Sequence, residues 1–166
     1  MKQKTIKKSA TKKKLFALQK KGFLFHGSPF RIDKLELRQP SNFNIKKNKY
    51  VKHGKHCVAA TPFADIAIFR AIINKTHFPP KGKDYAAQFG IKSKKINLAT
   101  TKKVLQKLSN QFGYVHVFDK KQFSRRSVWE WRSYKEIKPL KVIKVTVGDL
   151  NDNIKVIDYD FNLIKD

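Results

Sequence analysis

The chain has 166 residues, of which 38 are Lys or Arg and 12 are Asp or Glu, so its formal net charge is +26. This length suits one domain that can bury a core without disulfides, and the single Cys57 excludes both an internal disulfide framework and an all-cysteine zinc site. No apolar run reaches the ~20 residues that cross a bilayer, and the basic N-terminus lacks the apolar stretch of a secretory signal. We therefore expect a soluble, cytoplasmic domain with no membrane or metal partner, taken as a monomer because nothing in the sequence sets the oligomeric state.

The two ends of the chain differ in charge. Residues 1–22 contain nine lysines and no acidic residue, which predicts a disordered basic arm with at most one or two helical turns near Leu15–Leu18. Residues 151–166 contain four aspartates against two lysines. The sequence therefore predicts an arm over 1–22 followed by one domain over 23–166.

Short strands and short helices alternate irregularly between these ends. A Thr61-Pro62 step predicts a helix start, with Thr61 as the N-cap and apolar residues at helical spacing toward Asn74. A second helix is predicted over 100–108, and a Pro/Gly loop over 77–83. Strands are predicted over 22–26, 56–60, 85–91, 113–119, 128–134, 140–147 and 154–159. Because regular strand–helix–strand alternation is missing, the fold class is α+β.

The charge itself suggests a partner. A pI near 10.3 is typical of a domain that binds a polyanion, since Lys and Arg release condensed counterions when they meet phosphates. The alternative is a general over-use of lysine on solvated surfaces. Nucleic acid or a ribonucleoprotein is the favoured partner, and acidic protein patches are a second kind.

Common catalytic signatures are missing from the sequence. It contains no phosphate-binding P-loop, no G-x-G-x-x-G and no G-x-S-x-G. His53 and His56 are three residues apart and Cys57 follows, but no H-E-x-x-H or C-x-x-C pattern surrounds them, so we interpret them as surface histidines. A nucleotide site would have to be built in another way.

One segment places a histidine at the end of a predicted strand. In residues 23–29 an apolar strand runs into His26 and is stopped by Gly27, Ser28 and Pro29. An imidazole at such a turn can donate a hydrogen bond to a sugar hydroxyl, and a glycine lets its backbone approach a ligand closely. Alone, the triplet is more typical of a structural histidine.

Two later segments complete a pattern. The strand 56–61 leads into a helix with Ala64, Ala67 and Phe69, and Glu130-Trp131 opens a later strand. Together with Phe25-His26-Gly27-Ser28, their order and spacing resemble the ADP-ribosyltransferase fold, in the branch of diphtheria toxin and the poly(ADP-ribose) polymerases. The resemblance covers about residues 23–150. It implies an α+β domain with a split β-sheet core and short flanking helices.

The resemblance also implies roles, with NAD as substrate. His26 would hydrogen-bond the adenosine ribose, and the Gly27 backbone would pair with the nicotinamide carboxamide, assisted by Ser28. Glu130 would bind the nicotinamide ribose and stabilise the positive charge that forms as nicotinamide leaves. Phe69 would stack on the nicotinamide.

Alternatives for these residues stay open. The family often has Tyr where this chain has Val58 and Phe69, and Phe69 fits an ordinary core position equally well. Glu130, one of three glutamates, could instead form a structural ion pair with Arg132 or a nearby lysine. Glu136 is the rival carboxylate, although it suits a turn.

Four functions are therefore compared. The favoured one is transfer of ADP-ribose from NAD to a polyanionic or acidic acceptor, with hydrolysis of NAD when no acceptor is present. The second is RNA 2′-phosphotransferase-like chemistry on the same fold. The third is modification of a small molecule, as in the rifamycin transferases. The fourth is a catalytically inactive protein of the same fold that binds nucleic acid.

Overall fold

The computed structural model describes residues 9–44, 47, 49–81 and 83–159. This portion of the chain contains three α-helices, α1 (Ala10–Lys20), α2 (Ala64–Ile72) and α3 (Lys102–Gln106). Its eleven strands are β1 (Leu24–Ser28), β2 (Ser41–Asn44), β3 (Lys49–Lys52), β4 (Val58–Ala60), β5 (Ala87–Lys92), β6 (Lys95–Thr100), β7 (Phe112–Phe118), β8 (Ser124–Arg125), β9 (Trp131–Ser133), β10 (Lys141–Thr146) and β11 (Ile154–Val156). The expected α+β class is confirmed.

Two three-stranded antiparallel sheets form the centre of the domain. One has the order β1-β7-β10 and the other β4-β9-β8. They are joined by one backbone bridge, where Phe25 on β1 and Thr61, directly after β4, exchange two backbone hydrogen bonds of 2.8 Å. Beyond Phe25 the two strands no longer pair, so the sheets separate at His26 and Gly27.

Helix α2 covers one face of the first sheet. Eight of its nine residues are buried, because Ile66, Ile68, Phe69 and Ile72 fill the main core. The helix approaches the strands closely at Gly27, where a Cβ would lie 1.9 Å from the Ala67 carbonyl oxygen. A side chain at this strand position would push the helix off the sheet.

The expected disordered arm is wrong for residues 9–22. Ser9 caps α1 by accepting a hydrogen bond from the Lys12 amide, and Leu15 is fully buried in the main core. Lys12 is itself buried, with its ammonium 3.5 Å from Asp65 and donating to the Leu150 carbonyl. The domain therefore includes residues 9–22, and residues 1–8 lie outside the described residues.

Several element boundaries differ from the sequence prediction. Strand β1 continues through Gly27 and Ser28, because both residues pair with β7. Helix α2 begins at Ala64, and its N-cap residue is Phe63 rather than the predicted Thr61. The Thr61 hydroxyl accepts a hydrogen bond from the Phe63 amide. The hairpins β2–β3 and β5–β6 were not predicted as hairpins. No helix in the described ranges is long and apolar enough to cross a membrane.

Candidate functional site

The imidazole of His26 lies in the gap between the two sheets. Its Nδ1 is 2.8 Å from the Ala59 carbonyl oxygen on β4. Because a carbonyl only accepts, Nδ1 carries the proton and Nε2 is the accepting nitrogen. Burial, helped by the charge of Arg70, lowers the pKa of His26 from 6.5 to about 3. His26 is therefore neutral near pH 7 and accepts, rather than donates, a hydrogen bond at Nε2.

Gly27 presents its backbone to the same gap. In an antiparallel strand the N–H and C=O of one residue point to the same edge, and the edge alternates along the chain. Phe25 points both groups at Thr61, away from β7, so those of Gly27 share that edge. The edge is no longer covered by β4, because Phe25–Thr61 is an isolated bridge.

Ser28 ends the strand in a buried turn. Its side chain is 6% exposed, and its Oγ accepts a hydrogen bond of 3.1 Å from the Phe30 amide. The hydroxyl keeps its proton for a further acceptor. The first motif of the resemblance is thus assembled at one place, the end of β1.

A second histidine supports this place. His116 pairs with His26 across β1 and β7, and the two ring centres are 6.1 Å apart. Fully buried, it accepts from the Ile32 amide at Nε2 and donates from Nδ1 to the His26 carbonyl. Burial lowers the pKa of His116 as well. The role of His116 is to hold the chain after β1 against the sheet, and nothing in its sequence context marked it.

Glu130 lies immediately before β9, whose first residue pairs with Ala60. Its Oε1 is 2.7 Å from the Nε of Arg132, and its side chain is 27% exposed. This ion pair is the structural alternative raised for Glu130, and it is present. The pairing fixes the carboxylate and raises the pKa of Arg132, while leaving the carboxylate partly open to a ligand.

Arg70 connects the histidine and the glutamate. It is the one exposed residue of α2, and its guanidinium lies 5.8 Å from the ring centre of Phe89 on β5. Although the residue as a whole is exposed, desolvation of its guanidinium lowers the pKa of Arg70, and Tyr85 and Glu130 oppose the effect. Arg70 acts electrostatically on both His26 and Glu130, so we assign the three groups to one candidate site. Nothing in the sequence around Arg70 marked it.

Phe69 does not belong to that site. Its ring is 0% exposed and packs inside the main core, so stacking on a ligand would require it to leave the core. The core interpretation of Phe69 therefore replaces the expected stacking. The half-buried Phe89, against which Arg70 lies, is an aromatic ring beside the site.

Other features of the described residues lie elsewhere. A cavity of about 360 Å³ opens between the 77–85 segment and α3, with Lys81, Lys103 and Lys107 on its walls, and contains none of the expected site residues. No group of three His, Cys, Asp or Glu side chains in the described ranges could hold a metal ion. Burial raises the pKa of the Cys57 thiol, which makes it a poor nucleophile.

Comparison with known proteins yields no relative. No protein-family model, no curated protein and no solved structure matches the chain.

Proposed function

We propose that this protein is an NAD-dependent ADP-ribosyltransferase with a split-sheet core of that fold. It would move ADP-ribose from NAD to a nucleic acid, a ribonucleoprotein or an acidic protein, and release nicotinamide. The observation that carries the proposal is the open edge of β1, where the backbone of Gly27 faces the gap between the sheets beside a neutral His26.

The backbone N–H and C=O of Gly27 are complementary to a carboxamide. A primary carboxamide has one accepting oxygen and a donating NH₂ group, so it pairs with a backbone N–H and C=O that point the same way. The Ser28 hydroxyl lies one residue further along β1 and offers an additional donor. These groups would orient the nicotinamide end of NAD.

His26 matches a sugar hydroxyl. With Nδ1 committed to Ala59, Nε2 would accept a hydrogen bond from a ribose hydroxyl. Because the pKa of His26 is about 3, this accepting state persists throughout the physiological pH range. Arg70 would bind the diphosphate that joins the two nucleosides, since a guanidinium forms charge-assisted bonds to phosphate oxygens.

Glu130 supplies the electrostatic component of catalysis. As the bond from the ribose to nicotinamide breaks, nicotinamide takes the bonding pair and positive charge develops on the ribose. A carboxylate held in place by Arg132 stabilises that charge more than the ground state. The acceptor oxygen then bonds to the ribose carbon and loses its proton, or water does so when no acceptor is bound.

A second candidate function is RNA 2′-phosphotransferase-like chemistry. The observation in its favour is Arg70, a cation that acts electrostatically on His26 and would bind the transferred phosphate. That chemistry also consumes NAD, but it requires an RNA carrying a 2′-phosphate. A catalytically inactive binding protein is the non-enzymatic alternative.

The test is release of nicotinamide from NAD by the purified full-length protein, alone and with DNA, RNA or cell lysate. We expect release without a phosphorylated RNA, and label from adenine-labelled NAD on one of the polymers. Glu130→Gln should lower release about 10²-fold or more, whereas Glu136→Gln, which removes an exposed carboxylate paired with Lys34, should turn over normally. No release under any condition overturns the proposal, and release only with 2′-phosphorylated RNA favours the second candidate.

A further inference from the structure

Strand β7 carries a row of aromatic side chains on one face. Phe112, Tyr114 and His116 are two residues apart in sequence, so they project from the same side of the sheet. His116 is fully buried, whereas Tyr114 is half-buried and Phe112 is 43% exposed. The face thus opens to solvent toward the start of β7.

A lysine completes this open area. Lys144 on β10 pairs directly with Tyr114, and its ammonium lies 4.1 Å from the ring centre of Phe112. The rings of Phe112 and Tyr114 are 6.1 Å apart and nearly perpendicular. We call Phe112, Tyr114 and Lys144 the aromatic–lysine patch.

The aromatic–lysine patch continues the face that carries the candidate site. Ser28 pairs with Tyr114, and His26 pairs with His116, so all four project from the same side of the β1-β7-β10 sheet. Phe30, which is 60% exposed, follows Ser28 by two residues. The carboxylate of Asp149 near the end of β10 is buried and accepts from the Thr146 amide and hydroxyl, so it does not oppose an anion there.

We propose that the aromatic–lysine patch binds single-stranded nucleic acid. Exposed rings on a sheet stack with bases of any sequence, and an adjacent lysine binds the phosphate. A chain of net charge +26 attracts that polyanion before contact is made. A duplex is the poorer ligand because its bases are already stacked inside the helix. The inference does not depend on NAD turnover.

Binding of a labelled single-stranded 12-mer, measured without NAD at several salt concentrations, tests the proposal. We expect Phe112→Ala and Tyr114→Ala each to weaken binding about ten-fold or more with an unchanged salt slope. Lys144→Gln should reduce the slope of log affinity against log salt by about 0.7. Phe112→Trp should restore binding, because the larger ring also stacks.

The control variants, Lys155→Gln and Val156→Ala, change an exposed lysine and an exposed apolar side chain on β11, in another sheet. Both should bind like the wild type apart from the small effect of one distant charge. Wild-type affinity in folded Phe112→Ala and Tyr114→Ala proteins, equal affinity for the duplex of the same sequence, or no binding at all would each overturn the proposal. Nicotinamide release is read separately, so the two proposals can fail independently.

Discussion

The carbonyl oxygen of Ala67 occupies the space beside Gly27, 1.9 Å from where a Cβ on that residue would stand. The glycine that presents its backbone to the gap between the sheets is therefore also the residue that lets α2 approach β1. Gly113 on the neighbouring strand β7 allows the same close approach, since a Cβ there would lie 2.3 Å from the Ala71 carbonyl oxygen. Packing alone demands a glycine at position 27, whatever the ligand.

Gly27→Ala should destabilise the fold strongly. Backbone atoms cannot move aside as the end of a flexible side chain can, so we expect a loss at or above the roughly 1–3 kcal/mol typical of overpacking. The measurement is the free energy of unfolding in urea. Gly90→Ala is the matched control, because nothing lies within 4 Å of its Cβ position, and it should be close to neutral. Equal stabilities for the two variants would show that α2 is not held this close to the strand.

The sequence marks this segment by its residue types but does not show the packing that requires Gly27. Phe25-His26-Gly27-Ser28 was recognised as a place where a backbone meets a ligand, and the structure does open the strand edge there. The contact with Ala67 could not be read from the sequence, because it depends on a helix that begins 37 residues later, at Ala64. A local pattern carries no information about which distant element packs on it.

Leu15→Ala should lower the free energy of unfolding by about 2–5 kcal/mol, as for other fully buried leucines. The reason is that α1 belongs to the core, where Leu15 is 0% exposed. Lys13→Ala, at an exposed position of the same helix, is the control and should change little. Were α1 the disordered arm that composition suggests, both variants would unfold at the same urea concentration.

Helix α1 shows why the lysine-rich composition led to the wrong prediction of a disordered arm. Three consecutive lysines, Lys12 to Lys14, made the segment look solvated. Two of them are indeed exposed, but Lys12 is buried against Asp65 and the Leu150 carbonyl. An ion pair between residues 53 positions apart in sequence lets a lysine enter a protein interior, and only the tertiary structure provides that partner.

The stability of the protein should fall with decreasing pH partly because of His26. Its pKa is about 3 in the folded protein against 6.5 ordinarily, so between these values the unfolded chain binds the extra proton. Stability is therefore lost as pH falls below 6.5, by at most ~1.4 kcal/mol per pH unit from this group. His26→Asn, whose amide can still donate to Ala59, should flatten the profile.

Urea unfolding at pH 4.5, 5.5, 6.5 and 7.5 measures this effect. The control is His56→Asn at an exposed position, which should keep the wild-type profile. Parallel profiles for wild type and His26→Asn would mean that the imidazole takes up its proton in the folded protein.

Arg70→Gln should raise the pKa of His26, because the charge of Arg70 is the second cause of its depression after burial. The NMR titration of the His26 ring reports this directly. If Arg70 binds the diphosphate of NAD, the same variant should raise the KM for NAD about ten-fold or more. Lys155→Gln removes an equal charge at an exposed distant position and should change neither. A higher pKa of His26 with an unchanged KM would place Arg70 beside the histidine but not on the substrate.

From the sequence, candidate site residues could be predicted only where a residue type was unusual for its surroundings. A glutamate between two tryptophans in a chain with three glutamates drew attention to Glu130. Phe69 and Arg70 are neighbours on α2, and the sequence favoured the aromatic one. A helix turns by about 100° per residue, so two neighbours point in different directions, and here Phe69 is buried whereas Arg70 is exposed. Choosing between them requires the exact phase of the helix against the sheet.

Variants of Glu130 and Arg132 distinguish a catalytic role of the Glu130 carboxylate from a purely structural one. Arg132 is 8% exposed and its Nε is 2.7 Å from the carboxylate, so Arg132→Gln should cost roughly 1.5–3 kcal/mol of unfolding free energy. It should lower kcat for nicotinamide release only modestly, since Arg132 positions Glu130. Glu130→Gln keeps a hydrogen-bond acceptor for Arg132 and should cost less stability, yet lower kcat about 10²-fold or more. Unfolding and kcat measured on the same preparations test this. Equal losses of stability with kcat unchanged in both folded variants would assign the pair to the fold alone.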